Sequence, residues 1–164
     1  MIDERKFKKV MRGMPSGVGR VMLRYVQRNF ASQSYRGSAW QTRRNPHNRK
    51  PLLVDTGKLK ASFKVREANW RVIRVGSDRQ TAGSSGNAHL AQLHNEGAQG
   101  VATVRTYTRR GRRNGGSVRV HSHRRQSNLP QRQFMPIPGK EPLPPELWAA
   151  IENFVSVELD KVFK

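Results

Sequence analysis

The chain contains no cysteine, which excludes disulfide staples and thiolate zinc sites as sources of stability or chemistry. Acidic residues are scarce: 11 Asp and Glu stand against 32 Lys and Arg, a formal charge of +21. No apolar run approaches the roughly 18 residues a membrane span needs. The opening residues MIDERKFKKV lack the apolar core of a secretory signal, so the expectation is a soluble product with no membrane partner. No Ser, His and acid grouping and no phosphate-cradling glycine loop is visible, and the glycines at 83 and 86 read as a flexible linker. A non-enzymatic chain without a cofactor or metal is expected.

What is present points to one domain covering 1–164. That length is enough to bury about two thirds of the unfolded surface. The positive charge implies a polyanionic partner, nucleic acid or a strongly acidic protein surface. It is also unevenly placed. From Gly97 to Gly139 there is no acidic residue, yet Arg105, Arg109, Arg110, Arg112, Arg113, Arg119, Arg124, Arg125 and Arg132 fall there. Glu141, Glu146, Glu152, Glu158 and Asp160 instead crowd the last stretch.

Periodicity predicts a short helix over 3–11, broken by Gly13, Pro15 and Gly17. A longer helix follows, capped by Ser16 and running to about Ser32, with Val18, Val21, Met22, Tyr25, Val26, Asn29 and Phe30 on one face. Residues 33–50 read as an exposed loop anchored by Trp40. Asp55 or Thr56 is placed to cap a helical turn through Leu59, and alternation in Phe63, Val65 and then Trp70, Val72, Ile73, Val75 predicts a hairpin connected at 67–69. A short helix is expected over about 88–95, ended by Gly97. Over 98–126, alternation at 101–107 and a matching run at 117–122 flank RRGRRNGG, which predicts an extended basic β-hairpin with little core of its own. Leu147, Trp148, Ile151, Phe154, Val155, Leu159 and Val162 form the stripe of a terminal helix, with Trp70 and Trp148 read as core. The fold class is therefore α+β: a small antiparallel β-sheet packed by a long N-terminal helix and a C-terminal helix.

Three apolar blocks, LLVDTGKLKASF, LAQLHNEG and LPQRQFMPIP, each stop at Gly or Pro. Their order runs Phe30, Gly37, Trp40, then Leu53, Asp55, Thr56, Gly57, Leu59 and Ser62, then Val75, Gly76 and Ser77. Ala91, His94 and Gly97 follow, and then Arg132 and Phe134. In that order the blocks resemble the phage virion morphogenesis family typified by the Mu-like tail-completion protein. The resemblance covers most of 18–138. Leu90 stands where the family has Tyr, and the 98–126 insertion departs from the compact pattern. The resemblance implies a structural virion protein, made in the host bacterial cytoplasm and placed at the head–tail junction. There it would form a ring of six copies beside neck, tail-terminator or connector proteins. It implies assembly roles for Trp40, Asp55, Thr56, Gly57, Leu59, Ala91, His94, Gly97, Arg132 and Phe134.

Two sharper chemistries compete with structural readings of the same residues. His89, His94 and Glu96 invite a metal, but five residues along a helix put the two imidazoles about 140° apart, so a structural His is the favoured reading. Asp55-Thr56-Gly57 matches the aspartic-protease triplet, which needs a second copy to share a proton; none exists in the chain, and a capping turn is favoured. His121 and His123, set among arginines, suit an anion contact. The strongest candidate is the basic arm, Arg105, Arg109, Arg110, Arg112, Arg113, Arg119, Arg124 and Arg125, whose guanidinium groups can reach phosphates of double-stranded DNA in the channel or an adjacent acidic ring without reading bases. Tyr107 is its only aromatic, which argues against a stacking platform. The alternative function is a non-enzymatic nucleic-acid-binding module of packaging or ribosome-associated type.

Overall fold

A computed structural model describes residues 3–42, 51–54, 56–78, 89–110 and 116–163. Helix α1 spans Glu4–Ser32 without a break. Asp3 caps it, its Oδ1 accepting from Arg5 N at 2.9 Å and Lys6 N at 3.2 Å. The expected interruption at 13–17 does not occur, and Ser16 is not a cap: Pro15 lies inside the helix. The reason is packing. Met14, Pro15, Gly17 and Gly19 are all buried, and the two glycines let neighbours approach where a Cβ would stand, Phe154 against Gly17 and Val65 against Gly19. Tertiary burial offsets the lost propensity.

Gln33, at φ 53°, ends α1 in the left-handed conformation. Beyond it, the expected open loop contains a tight hairpin. Strands β1 (Ser34–Tyr35) and β2 (Ser38–Ala39) pair across Arg36 and Gly37, which both have positive φ, as a two-residue hairpin loop favours. Trp40 follows, buried.

Helix α2 is Lys58–Ala61 and opens on Gly57, at φ 67°, with no side-chain cap. Thr56 therefore does not cap it; a left-handed glycine makes the entry instead. Asp55 lies outside the described residues. Strands β3 (Lys64–Ala68) and β4 (Ile73–Gly76) form the expected antiparallel hairpin, with an irregularity between Val65 and Glu67. Its connection lies further along than 67–69. Asn69 Oδ1 accepts from Arg71 N at 2.9 Å and Val72 N at 2.8 Å, a side-chain-locked turn. That turn lifts Trp70 to the apex, where it is 64% exposed and not core.

Helix α3 covers Leu90–Glu96 and ends at Gly97, φ 74°. Strands β5 (Ala98–Val104) and β8 (His123–Leu129) pair antiparallel, as do β6 (Tyr107–Arg110) and β7 (Ser117–Val120). Val104 faces His123; three residues forward and three back, Tyr107 faces Val120, so both ladders keep one register. Helix α4 is Pro145–Phe163. Leu147 and Val162 are buried on it, while Trp148 is 52% exposed, against expectation. The stripe that packs is Leu147, Ile151 and Phe154, and Trp148, one residue past Leu147, falls off that face.

The fold is α+β, with α1 at its centre. Val21 and Tyr25 meet Tyr35, Leu147, Ile151 and Phe154 to form one cluster. Val26 and Phe30 belong to a second with Trp40, Leu52, Leu59, Phe63, Ala91 and Phe134. Among the described residues no helix is long and apolar enough to cross a membrane.

Gly13 and Gly17 test the packing account directly. Gly13 has nothing within 4 Å of a built Cβ, whereas at Gly17 a Cβ would lie 2.0 Å from Phe154 Cζ. Gly13→Ala should stabilise by about 0.5–1 kcal/mol from helix propensity alone. Gly17→Ala should destabilise by about 1–3 kcal/mol because overpacking outweighs that gain. Urea midpoints that shift in opposite directions are the expected result.

Candidate functional site

The residues of the motif blocks meet at Phe134, which is 0% exposed. Its ring stands 4.7 Å from Phe30, 5.4 Å from Phe63 and 6.5 Å from Trp40 between centroids, within the range of favourable aromatic pairing. Leu59 and Ala91 complete the same cluster. The backbone around Phe134 belongs to no helix or strand, so its amides need partners from elsewhere. Asn95 Oδ1 accepts from Phe134 N at 2.9 Å and Met135 N at 3.1 Å, and Asn95 Nδ2 donates to Met135 O at 3.1 Å. Asn29 Nδ2 donates to Phe134 O at 3.0 Å, and Trp40 Nε1 donates to Gln133 O at 2.6 Å. Asn29 and Asn95 are both buried.

Asn95 was not among the residues singled out from the sequence, and Asn29 was read only as part of an apolar face. The available signal was an Asn at a core-facing helical position, where a polar amide is retained only if it is hydrogen-bonded.

His94 and Arg132 are brought together beside this knot. Arg132 N donates to His94 O at 2.8 Å, and Arg132 Nε donates to Gln41 O at 3.3 Å, with the side chain 8% exposed. His94 Nδ1 is buried without a hydrogen-bond partner. Burial first, and then the Arg132 charge, hold the His94 pKa below its ordinary value of 6.5. Gly97, in its positive-φ conformation, sits 3.0 Å from Gln131 N at its built Cβ position, so a side chain there would meet backbone on both counts. Thr56 is exposed. Among the described residues no three His, Cys, Asp or Glu side chains converge as a metal-binding group.

Glu141, one of the acids of the C-terminal stretch, is a half-buried junction. It accepts from Ile137 N at 2.8 Å, from Tyr35 Oη at 3.3 Å and from Gln133 Nε2, and lies 3.6 Å from Arg36. Burial, followed by the Glu141 charge, pushes the Tyr35 phenol up to about 12.

The ribbon of β5 to β8 leaves this knot through Gly97 and returns through Pro130. Arg105, Arg109, Arg110, Arg119, Arg124 and Arg125 are all exposed on it, and none of the six makes an ion pair. Arg112 and Arg113 lie outside the described residues. The register separates like charges: Arg125 faces Ala102, Arg124 faces Thr103, Arg119 faces Thr108, Arg110 faces Ser117 and Arg109 faces Val118. No arginine is opposite another, which removes the directly destabilising cross-strand pair. His123 Nδ1 lies 2.9 Å from His121 O, and both imidazoles are exposed among the arginines. Where ribbon and knot join, a cavity of about 930 Å³ is lined by Gln41, Glu96, Gly97, Leu129 and Arg132.

Chemically, the ribbon presents fixed cations with no internal anions, suited to phosphate oxygens or carboxylates. The knot encloses its aromatic rings and hydrogen-bonded amides, and His94 Nδ1 is buried beside them. Comparison with protein-family models, with curated proteins and with solved structures found no match to the chain.

Two outcomes are expected. Because the folded state disfavours the His94 cation while the unfolded chain takes up a proton near 6.5, stability should be complete above that pH and fall as pH drops below it. His94→Gln should flatten this slope in urea titrations run between pH 7 and 5. On the ribbon, replacing Arg110, Arg119 and Arg125 together by Ala should reduce the slope of log affinity against log salt for duplex DNA by roughly 2.7, at about 0.9 per lost phosphate contact. Filter binding across a salt series reads it.

Proposed function

We propose that this chain is a structural virion protein of the tail-completion type, assembling as a homohexameric ring at the junction of phage head and tail. It would be made in the cytoplasm of the host bacterium and built into the virion beside neck, tail-terminator or connector proteins. Its role is architectural, without catalysis or cofactor. The observation that carries the reading is the arrival of ordered motif blocks, far apart in the chain, at one buried centre: Phe30, Trp40, Leu59, Ala91 and Phe134 share a cluster. Gly57 and Gly97 both have positive φ, so the motif glycines occupy positions where other residues would be strained.

The ribbon supplies the contact surface. Six exposed arginines without an ion pair leave a neutralising anion to be supplied from outside, and a ring of such chains would repel itself without one. Double-stranded DNA in the channel, or the acidic rim of an adjacent ring, provides that charge. Among nucleic-acid modes, backbone contact suits the ribbon better than base stacking, because Tyr107 is its only aromatic.

The deciding experiment is cryo-electron microscopy of particles of the parent phage. A ring of this chain at the head–tail junction is the expected result. Deleting residues 101–123 should leave the knot folded and yield tailless or DNA-leaking particles. Normal virions from the deletion would remove the sealing role. A chain absent from particles, yet binding duplex DNA as a monomer with a steep salt slope, would favour the nucleic-acid-binding module.

A further inference from the structure

Among the described residues, Trp70 and Leu143 apart, the large exposed apolar side chains lie on the ribbon and on α4. Val101, Tyr107 and Val118 lie on the ribbon, while Trp148, Val157 and Phe163 lie on α4. The ribbon residues share one face. In the common register Tyr107 opposes Val120, and Val118 opposes Arg109 two residues along; Val101 and Thr103, with their partners Gln126 and Arg124, extend the same face. The opposite face carries Arg110, Arg119 and Arg125 with Thr108, Ser117, Val104 and His123. The two faces therefore differ: one mixes Val101, Val118, Val120 and Tyr107 with Arg109 and Arg124, and the other has Val104 among mostly polar and basic residues.

Helix α4 has the matching surface. Trp148, Glu152, Ser156 and Phe163 are all exposed and fall within roughly 80° of one another around the axis. From Trp148 to Phe163 the strip is about 22 Å long, and from Val101 to Tyr107 the ribbon face is about 20 Å. The charges are opposite. Four acids, Glu146, Glu152, Glu158 and Asp160, against one Lys161 give α4 a formal −3, whereas the described ribbon carries six arginines and no acid. Glu152 is exposed and makes no ion pair among the described residues. In one chain the two surfaces do not cover each other, since the apolar residues of both remain exposed.

We infer that the apolar face of the ribbon docks on the outer strip of α4 of a second copy of this chain, with Arg109 or Arg124 meeting Glu152 and the ribbon's valines and Tyr107 covering Trp148. The contact is heterologous, so repetition closes a ring or extends a filament. It leaves Arg110, Arg119 and Arg125 on the uncovered face, directed at a polyanion. The inference rests on the ring assembly proposed above and names the surfaces that build it.

The test is self-association of the full chain, freed of nucleic acid by nuclease and a high-salt wash and then supplied with inorganic polyphosphate as the neutralising anion, followed by sedimentation velocity over a concentration series. Concentration-dependent assembly is expected. Glu152→Arg, and separately Arg109→Glu with Arg124→Glu, should each weaken it at least tenfold. Mixing the two variants should restore assembly as a hetero-oligomer, because the charges are exchanged. Trp148→Ala should weaken it as well, whereas Trp70→Ala, at an exposed site elsewhere, should leave it unchanged. All these positions are exposed, and far-UV circular dichroism confirms folding of each variant. A wild-type chain that stays monomeric throughout, variants that associate like wild type, or a mixture that fails to recover would each overturn the contact. The two proposals fail separately. A chain found at the junction whose assembly ignores Glu152 loses this contact alone, and one that assembles through Glu152 yet is missing from particles loses only the virion role.

Discussion

The backbone from Arg132 to Met135 has no strand partner, and the rest of the structure is organised by the way its amides are satisfied. Phe134 can be fully buried only if the polar groups on either side of it are hydrogen-bonded, since an orphaned buried amide costs about 1–3 kcal/mol. Asn95 from α3, Asn29 from α1 and the Trp40 indole supply those partners. Each comes from a different part of the chain, so satisfying one stretch of backbone fixes the relative positions of three segments. The aromatic rings then pack around a centre already held in place. Geometry of this kind is sensitive to side-chain identity: Leu in place of Asn95 would fill similar space but leave Phe134 N and Met135 N without acceptors.

The surplus positive charge is handled by separating it from this centre. Acids near the knot are consumed internally: Glu141 bonds Ile137 N, Tyr35 and Gln133, and Glu96 pairs with Lys140 at 3.1 Å. Exposed pairs such as Glu67 with Arg74, at 2.9 Å, contribute about 0–1 kcal/mol and do not define the fold. The ribbon carries its arginines with no acid to match, and both of its faces are largely exposed. Two-stranded elements of that kind have little burial of their own to hold them, so the ribbon depends on the knot at its root for position.

Much of the architecture was legible in the sequence, and what was missed has particular causes. The β3–β4 hairpin, α3 with its terminal Gly97, the two ribbon runs and α4 follow from alternation, helical spacing and glycine placement. The single helix α1 does not, because Gly13, Pro15 and Gly17 are breakers by propensity, and only the neighbours Phe154 and Val65, remote in sequence, explain why Gly17 and Gly19 sit in a packed helix. Trp70 was read inward by alternation, but Asn69 locks a turn that takes it out of the strand. Trp148 joined a stripe that extends one residue beyond the face that packs. The candidate arginines were legible as a run without acids, whereas their division between two faces of a ribbon needed the register. Asn29 and Asn95 were the least legible, since a buried amide is recognisable only once its partner is known.

That division decides how a highly charged ribbon can exist before it meets a partner. Arginines placed opposite Ala, Thr, Ser and Val avoid the closest cross-strand repulsion, and at physiological salt interactions beyond about 8 Å are largely screened. The remaining repulsion is tolerable in an extended strand pair but grows when several ribbons are brought into one ring. An assembly of this chain therefore gains stability from whatever anion enters it, and the basic face carrying Arg110, Arg119 and Arg125 is where that anion would act. In the proposed ring, a surface this charged would couple assembly to the arrival of an anionic partner, because that partner would relieve the repulsion the surface creates.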